Sequence, residues 1–492
     1  MATHGPLLDL LASGAAVGAH RPWPRAVVPE DGWRAAIEHL AAGRITLLAL
    51  FGEPQMVHMA LLDEAEIAVV SLSCTASFPS VGRHHPPAIR LERTICDLFG
   101  LRAEGALDQR PWLDHGVWGA GGAQRAYDFL PAEGEGLHEI PVGPVHAGII
   151  EPGHFRFTAN GETVVRLEER LGYVHKGIEA LIAGADLGRA ARLAGRASGD
   201  SSVAYALAFA RAAEAAAGIK APPRAIWLRA LMAEMERIAN HIGDIGAICN
   251  DAAFTLMHAH CGVLRERVLR ASDACFGHRL MMDRIVPGGV AHDLAAGGAD
   301  HLRALLAEIG RRLPELVLLY DNTASLQDRT VGTGRVSSEL VRQFGAGGHV
   351  GRAAGRAFDA RRLPGQPPYD QLAFTVPVLS EGDVNARVWI RVREVEQSVA
   401  LIGQILERLP QGELRVDVPA APGEGMALAE AFRGDVLVWL RLDADGRVLR
   451  CHLRDASWFQ WPLLEAAIEG NIVADFPLCN KSFNCSYSGH DL

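Results

Sequence analysis

The sequence changes character at a glycine-rich stretch, and this change limits the possible fold more than any other feature of the chain. Residues 116–136 contain six glycines among 21 residues, a density typical of a linker. Strand-like runs alternate with helix-like segments before this stretch, and long segments with helical apolar spacing follow it. The pattern predicts a small α+β unit over residues 1–120, a linker over residues 121–136 and a large, mainly helical unit over residues 137–492. A long surface loop within one domain is the alternative interpretation.

The first unit mixes helix and strand signals, which predicts an α+β fold. Its clearest boundary is Gly100, because glycine commonly ends helices and here follows a segment with helical apolar spacing. The predicted elements are helices over residues 33–42 and 88–99, strands over residues 44–51, 57–62 and 67–72, and a turn at Gly52-Glu53-Pro54.

The second unit opens with strand signals and then becomes helical. A late hairpin is predicted around the turn Asp445-Gly446, since an Asp-Gly pair between apolar runs favours tight turns. We therefore expect a mainly α-helical domain with small β-hairpin sheets. The predicted elements are strands over residues 155–159, 163–168, 436–440 and 448–453, and helices over residues 204–217, 226–250, 262–276, 299–320, 336–345 and 384–409.

Composition excludes several classes of protein. The chain has 48 Lys+Arg against 58 Asp+Glu, a formal net charge of -10, so we expect no nucleic-acid partner. Eight cysteines without a CxxC pair and an N-terminus without a secretory pattern favour reduced thiols in the cytoplasm. No run reaches the roughly 18 apolar residues of a membrane span.

Seven strings of the second unit, in this order, resemble one family. This family includes two types of protein: the nickel-binding large subunit of membrane-bound NiFe hydrogenases, such as formate hydrogenlyase, and the D subunit of respiratory complex I. The strings are residues 143–146 (GPVH), 151–157 (EPGHFRF), 173–179 (YVHKGIE), 229–241 (RALMAEMERIANH), 277–290 (GHRLMMDRIVPGGV), 347–355 (GGHVGRAAG) and 382–387 (GDVNAR).

The first unit agrees with this resemblance. Residues 91–101 (LERTICDLFGL) are similar to the signature of the complex I C subunit, although the segment expected downstream is degraded at residues 106–110. A C-type domain ahead of a D-type domain is the arrangement of formate-hydrogenlyase-like large subunits.

The resemblance implies four cysteine ligands for a NiFe centre, in two pairs. Here the first pair falls on Ser198 and Ser201, and the second on Ser486 and Gly489, with Cys485 next to it. Hydroxyl groups are hard ligands and do not replace thiolates on nickel, so we expect no NiFe centre. For Cys479 and Cys485, buried thiols and a different metal site are both possible interpretations.

In complex I the resemblance implies a quinone pocket in place of the metal cavity. The quinone-binding Tyr of D subunits falls on Gly199 here, and the facing His is either His146 or His154. Tyr205 could face the same cavity or belong to the core. The expected pocket lining is Ser198, Gly199, Asp200, Ser201, Cys485 and Ser486, and the expected catalytic residues are His146, His154, Arg196 and Tyr205.

The resemblance also implies partners. Arg196 matches an arginine placed near a [4Fe–4S] cluster of an iron–sulfur small subunit; a salt bridge at a helix start is the alternative. Glu234, Arg237 and His241 share a helix face and match a buried network in D subunits, with a solvated surface as the alternative. We expect membrane-arm partners as well, and a peripheral location at the cytoplasmic face of the membrane.

Three hypotheses about function follow from these residues. The first is an electron-transfer subunit that passes electrons from the iron–sulfur partner to a quinone without a NiFe centre. The second is a catalytically silent subunit that couples a redox module to an ion-translocating membrane arm. The third is a hydrogenase with an unfamiliar metal site.

Overall fold

A computed structural model of the chain describes residues 5–116, 118, 127–146 and 150–492. The chain has an α+β fold, as predicted. The described strands are β1 Ala15–Ala16, β2 His20–Arg21, β3 Arg25–Val27, β4 Thr46–Glu53, β5 Met56–Asp63, β6 Glu66–Ser73, β7 Ser77–Pro79, β8 Arg102–Glu104, β9 Leu137–Val142, β10 His154–Asn160, β11 Thr163–Arg170, β12 Ile285–Val286, β13 Gly289–Val290, β14 Gly423–Ala431, β15 Gly434–Leu442 and β16 Val448–Arg454.

The helices carry most of the second unit, as the apolar spacing predicts. The described helices are α1 Pro6–Ala12, α2 Glu30–Ala41, α3 Ile89–Phe99, α4 Ile178–Ile182, α5 Leu187–Ala194, α6 Ser202–Ala217, α7 Pro223–Asp251, α8 Thr255–Phe276, α9 Gly298–Asp321, α10 Ala324–Thr330, α11 Ser338–Gln343, α12 Gly348–Ala353, α13 Val384–Arg408, α14 Ser457–Ile468, α15 Phe476–Phe483 and α16 Tyr487–His490. Among the described residues, none of these helices has both the length and the apolar character that a membrane crossing requires.

The first unit is built on a five-stranded sheet with the order β1-β3-β6-β5-β4. Helix α3 ends at Gly100, which adopts a left-handed conformation with φ of 67°, as predicted from its residue type. The turn predicted at Gly52-Glu53-Pro54 is wrong by two residues, because β4 continues to Glu53. Glu53 pairs with Met56 in the sheet, and its carboxylate is held by His58 and Arg441.

A four-stranded sheet joins the two units. Strand β14 lies between β15 and the short N-terminal strand β2, which runs parallel to it. Sequence patterning missed β14 because its sequence, GEGMALAEA, contains no β-branched or aromatic residue, and these are the residue types that indicate a strand. Phe51 of β4 packs against Trp439 of β15, with ring centroids 5.4 Å apart. The first unit and the end of the chain therefore share a hydrophobic core.

Helix α6 lies directly on β14, and glycine makes this approach possible. A Cβ atom at Gly425 would overlap the carbonyl oxygen of Ala212 in α6. This contact places the beginning of α6 beside the β14–β15 turn, which carries Arg433.

The predicted linker is described only from residue 127, since residues 121–126 lie outside the described part of the chain. Tyr127 accepts a hydrogen bond of 2.6 Å from Arg93 of α3. The Leu130 amide donates to Glu168 of β11 over 2.8 Å. These contacts attach the described end of the stretch to both units.

Candidate functional site

The four positions to which the resemblance assigns cysteine ligands come together in the fold. Ser198 lies in the turn between α5 and α6, and Ser486 precedes α16. Their hydroxyl oxygens are 2.8 Å apart, and the Gly489 amide donates to the Ser486 hydroxyl, also over 2.8 Å. Ser201 completes the group through Arg433, whose guanidinium lies 3.2 Å from its hydroxyl. We call Ser198, Ser201, Ser486 and Gly489 the serine cluster.

Arg433 brings a fixed positive charge to the serine cluster. It forms a two-pronged ion pair with Asp200, one contact being 2.7 Å between Nη1 and Oδ1, and it donates to the Asn484 carbonyl. Its side chain is only 4% exposed. Burial acts to raise the pKa of Asp200, but the Arg433 guanidinium holds that pKa below its ordinary value. The cluster is thus a group of neutral hydroxyls beside an ion pair in which Arg433 is buried and the Asp200 side chain is 34% exposed.

The donor set does not suit nickel. Serine hydroxyls and a backbone amide offer no soft ligand, and within the described residues no group of three or more His, Cys, Asp or Glu could hold a metal ion. Cys485 is buried next to Ser486, with its sulfur 4.0 Å from Gln460 Oε1. Burial raises the pKa of Cys485 and raises that of Cys479 to about 12, so both are protonated thiols at neutral pH.

Tyr205 is a fully buried residue that reaches the edge of the serine cluster. Its hydroxyl donates to Asp455 Oδ2 over 2.8 Å. A Cβ atom at Gly489 would lie 2.7 Å from that same Oδ2 and 2.8 Å from the Ser486 hydroxyl oxygen. Burial and the Asp455 carboxylate raise the pKa of Tyr205 well above its ordinary value. Tyr205 is therefore a core residue whose hydroxyl contacts Asp455, and Asp455 in turn lies against Gly489 of the serine cluster.

Gly199, on which the resemblance places the tyrosine of D subunits, has open space beside it. An added Cβ would meet no other atom within 4 Å. Beside it lies a cavity of about 20 Å³, whose lining includes Gly199, Asp200, Glu236 and Asn240. This volume holds one water molecule.

Arg196 points away from the serine cluster, towards the surface. Its side chain is 43% exposed and pairs with Asp283 at 2.7 Å. It follows the end of α5 and also donates to the Arg192 carbonyl over 2.8 Å. The alternative interpretation of Arg196, a salt bridge, therefore has a counterpart in the structure. Its acidic partner, Asp283, belongs to the loop after α8.

The two candidate histidines lie on the hairpin between β9 and β10. His154 begins β10, and its Nδ1 contacts the Gly143 carbonyl over 2.9 Å. Since the carbonyl only accepts, Nδ1 carries the hydrogen, and the buried Nε2 has no hydrogen-bond partner among the described residues. Burial lowers the pKa of His154. His146 is half-buried next to residues 147–149, which lie outside the described residues.

A buried ionic network lies behind the site. Glu234 and Arg237 of α7 contact each other at 3.5 Å, and His241 contacts Glu394 of α13 at 2.8 Å. All four side chains are at most 1% exposed, so the solvated-surface interpretation of this helix face is wrong. Such a network fixes α7 against α13 behind the cluster.

Sequence reasoning missed Arg433, Asp455 and Glu236 as site residues. Arg433 occupies a two-residue turn between buried strands, and Asp455 directly follows β16. Neither stands in a patterned motif, so no local signal marks them. Glu236 lies in a string that was already recognised, two residues from Glu234.

Three comparisons place the chain among known proteins. The family described as respiratory-chain NADH dehydrogenase, 49 Kd subunit, matches residues 251–422 and 415–491. Formate hydrogenlyase subunit 5 of Escherichia coli (strain K12) is 31% identical over 437 residues, covering 84% of this chain and 77% of the relative. The NADH-quinone oxidoreductase D subunit of Syntrophobacter fumaroxidans is 31% identical over 352 residues, covering 70% of this chain and 94% of the relative.

One solved structure is similar over most of the fold. It is a chain of the membrane-bound sulfane sulfur reductase, an archaeal respiratory membrane complex. The TM-score is 0.69 at 25% sequence identity, and the match covers 73% of this chain and 99% of the other.

Proposed function

Because the chain belongs to the family of the respiratory-chain NADH dehydrogenase 49 kDa subunit and formate hydrogenlyase subunit 5, we propose that it is an oxidoreductase subunit of a membrane-associated complex. In this proposal it receives electrons from a partner iron–sulfur subunit and passes them to a quinone-type acceptor. It does so without a NiFe centre. It sits peripherally on the cytoplasmic face, joined to a membrane arm.

The observation that carries this proposal is the serine cluster with Arg433 beside it. Hydroxyl groups and a guanidinium donate hydrogen bonds to carbonyl oxygens, the polar atoms of a quinone. Arg433 also stabilises the negative charge that develops on a quinone oxygen during reduction, because it is buried and fixed in place. The same groups offer nothing to a soft metal ion.

Arg196 supports the electron-donor side of the proposal. It lies close to Ser198 in the chain, yet its side chain is 43% exposed. A fixed positive charge at the surface near the pocket stabilises the reduced form of a cluster that docks there. The docking partner would therefore cover Arg196 and Asp283.

Among the described residues, His154 is better placed for proton transfer than His146. Its Nε2 carries no hydrogen and has no partner among them, so this atom can take up a proton and deliver it to a reduced acceptor. Its loop also adjoins the cluster side of the fold, since a Cβ atom at Gly153 would lie 2.7 Å from the Tyr487 ring.

The test is quinone-analogue reduction by the purified native complex, with His154→Ala, His146→Ala and Arg433→Lys variants. We expect the wild-type complex to reduce the analogue with electrons from its iron–sulfur clusters, and the His154 and Arg433 variants to lose most of this activity. A fully assembled, cluster-bearing complex that neither binds nor reduces quinone would refute the proposal.

One observation favours the silent coupling subunit as a second candidate. The side chains of Ser198, Ser201 and Ser486 are at most 3% exposed, and they bond to each other, to Asp200 and to Arg433. A cluster that satisfies its own hydrogen bonds is a stable filling for a lost metal site. The test is the activity of the membrane complex after Arg433 is replaced. If full activity remains, the redox reaction takes place in another subunit, and this candidate is supported.

A further inference from the structure

The small cavity beside Gly199 connects the site to a buried carboxyl group. Glu236 of α7 contributes to its lining together with Asp200 and Asn240. The cavity opens on the side where D subunits carry a quinone-binding tyrosine, and where this chain has only a glycine. A group that replaces the tyrosine in proton transfer would have to line this space.

Glu236 is buried without a cation partner. It is 9% exposed, and among the described residues it takes part in no ion pair. Its oxygens accept hydrogen bonds from two amides at the start of α6, Val203 at 2.7 Å and Ala204 at 3.1 Å. Each carboxyl oxygen thus has one partner and one remaining lone pair or proton position.

Burial, more than the surrounding charges, favours the protonated form of Glu236. Asp200 faces the cavity from the turn before α6 and is ionised by its pair with Arg433. Arg237 belongs to the same helix but is bound to Glu394. On the far side, Arg265 and Arg279 line the cavity from α8 and the following loop. Burial and then Asp200 raise the pKa of Glu236 to about 8, against the effect of the two amides.

We propose that Glu236 is the proton donor of this site and acts through one water molecule in the cavity beside Gly199. This inference deepens the proposed quinone reduction and rests on it. Glu236 would do the work that the tyrosine does in D subunits, from the opposite wall of the same space. Arg279 lines the cavity, and its side chain is 50% exposed. The cavity therefore reaches the protein surface at this end, where Glu236 would regain its proton from solvent.

Electrons and protons balance in the step that this arrangement supports. A bound quinone takes two electrons from the iron–sulfur clusters of the partner and two protons, and becomes a quinol. One oxygen takes its proton from the Glu236 carboxyl through the water molecule, which leaves a carboxylate. The other takes its proton from His154 or His146. Solvent then restores the proton on Glu236.

The experiment measures quinone-analogue reduction by the purified complex as a function of pH, with Glu236→Gln and Glu236→Asp. In the wild type, the rate should fall as pH rises through about 8, because the donor loses its proton before turnover. Glu236→Gln should lower kcat by about a hundredfold with little change in KM and abolish this alkaline limb. Glu236→Asp should restore a titrating limb, and Glu315→Gln, an exposed carboxylate on α9, should behave as wild type.

A second measurement separates this inference from the proposed function. Infrared difference spectra of the reduced and oxidised complex should contain a carboxylic-acid band that Glu236→Gln removes. If the wild type reduces no quinone but this band is present and responds to reduction, the proposed acceptor is wrong and the proton donor stands. An assembled Glu236→Gln complex with wild-type kcat and pH profile, or spectra without a Glu236 band, would overturn the inference.

Discussion

The hydroxyl oxygens of Ser198 and Ser486 lie 2.8 Å apart although 288 residues separate them in the chain. This contact joins the two segments on which the resemblance places the paired metal ligands. In this chain the contact is a hydrogen bond between two neutral groups. The fold thus brings these two segments together through hydroxyl groups.

The first prediction concerns metal content. Because the serine cluster has no soft ligand, we expect the native complex to contain iron from its partner clusters and no nickel, even when cells grow with added nickel. Elemental mass spectrometry of the purified complex measures both metals. Stoichiometric nickel would show that Cys479 and Cys485 take part in an unusual metal site.

The second prediction compares two arginines by their burial. Arg433→Ala removes a side chain that is 4% exposed and leaves the partly exposed Asp200 and the Asn484 carbonyl without their donor, so it should lower the free energy of unfolding by about 1–3 kcal/mol. Arg196→Ala removes a half-exposed pair with Asp283 and should cost about 0.2–1 kcal/mol. Urea unfolding of the two variants measures the difference. Equal losses would contradict the buried role of Arg433.

The third prediction concerns the Tyr205–Asp455 hydrogen bond. Tyr205→Phe leaves the buried Asp455 Oδ2 without its donor, so it should lower the free energy of unfolding by about 1–3 kcal/mol. Tyr173→Phe is a matched control, since that ring is 36% exposed and surface changes usually stay within about 0.5 kcal/mol. If the Tyr205→Phe variant is as stable as the control, the Tyr205 hydroxyl does not form this hydrogen bond with Asp455.

The fourth prediction uses two glycines of the site. Gly489→Ala should destabilise the chain by about 1–3 kcal/mol, because the new methyl group would collide with Asp455 and Ser486. Gly199→Ala should be tolerated, since its methyl group meets no atom within 4 Å. Thermal unfolding of the two variants tests the contrast, and similar melting temperatures would count against the packing described at Gly489.

The fifth prediction is a pH dependence of stability. The folded-state pKa of Glu236, about 8, lies above its ordinary value of 4.5, so the folded chain binds this proton more tightly. Its contribution to stability is therefore complete below the ordinary value and is lost as pH rises through about 8. The difference in urea midpoint between wild type and Glu236→Gln should change in this window, and a constant difference would contradict the raised pKa.

Sequence patterning predicted the elements that have a periodic signal or a marked end. Helices α7 and α13 and the stop of α3 at Gly100 follow from apolar spacing and from a residue type. Strand β14 has neither, because it contains no β-branched or aromatic residue. Helices with regular apolar spacing and strands rich in β-branched residues, such as β15, were thus predictable, and a strand composed mainly of Gly, Ala and Glu was not.

The candidate site divides in the same way. The positions of Ser198, Ser201, Ser486 and Gly489 followed from a resemblance, and the fold brings them together. Arg433 and Asp455 contact the site across 233 and 250 residues, through single side chains outside any motif. Only the three-dimensional path of β14, β15 and β16 brings these two residues to the cluster. The assigned roles of His146, His154, Arg196 and Tyr205 stay predictions.

The pairing of β2 with β14 has a consequence for how this chain is made. Arg25, next to β2, forms its ion pair with Glu424, 399 residues later. While the ribosome synthesises the intervening chain, the apolar side of the first sheet, including Leu48 and Phe51, has no strand to cover it. That surface is exposed to aggregation for nearly the whole of translation. The cover of this surface is complete only when the last hairpin has left the ribosome.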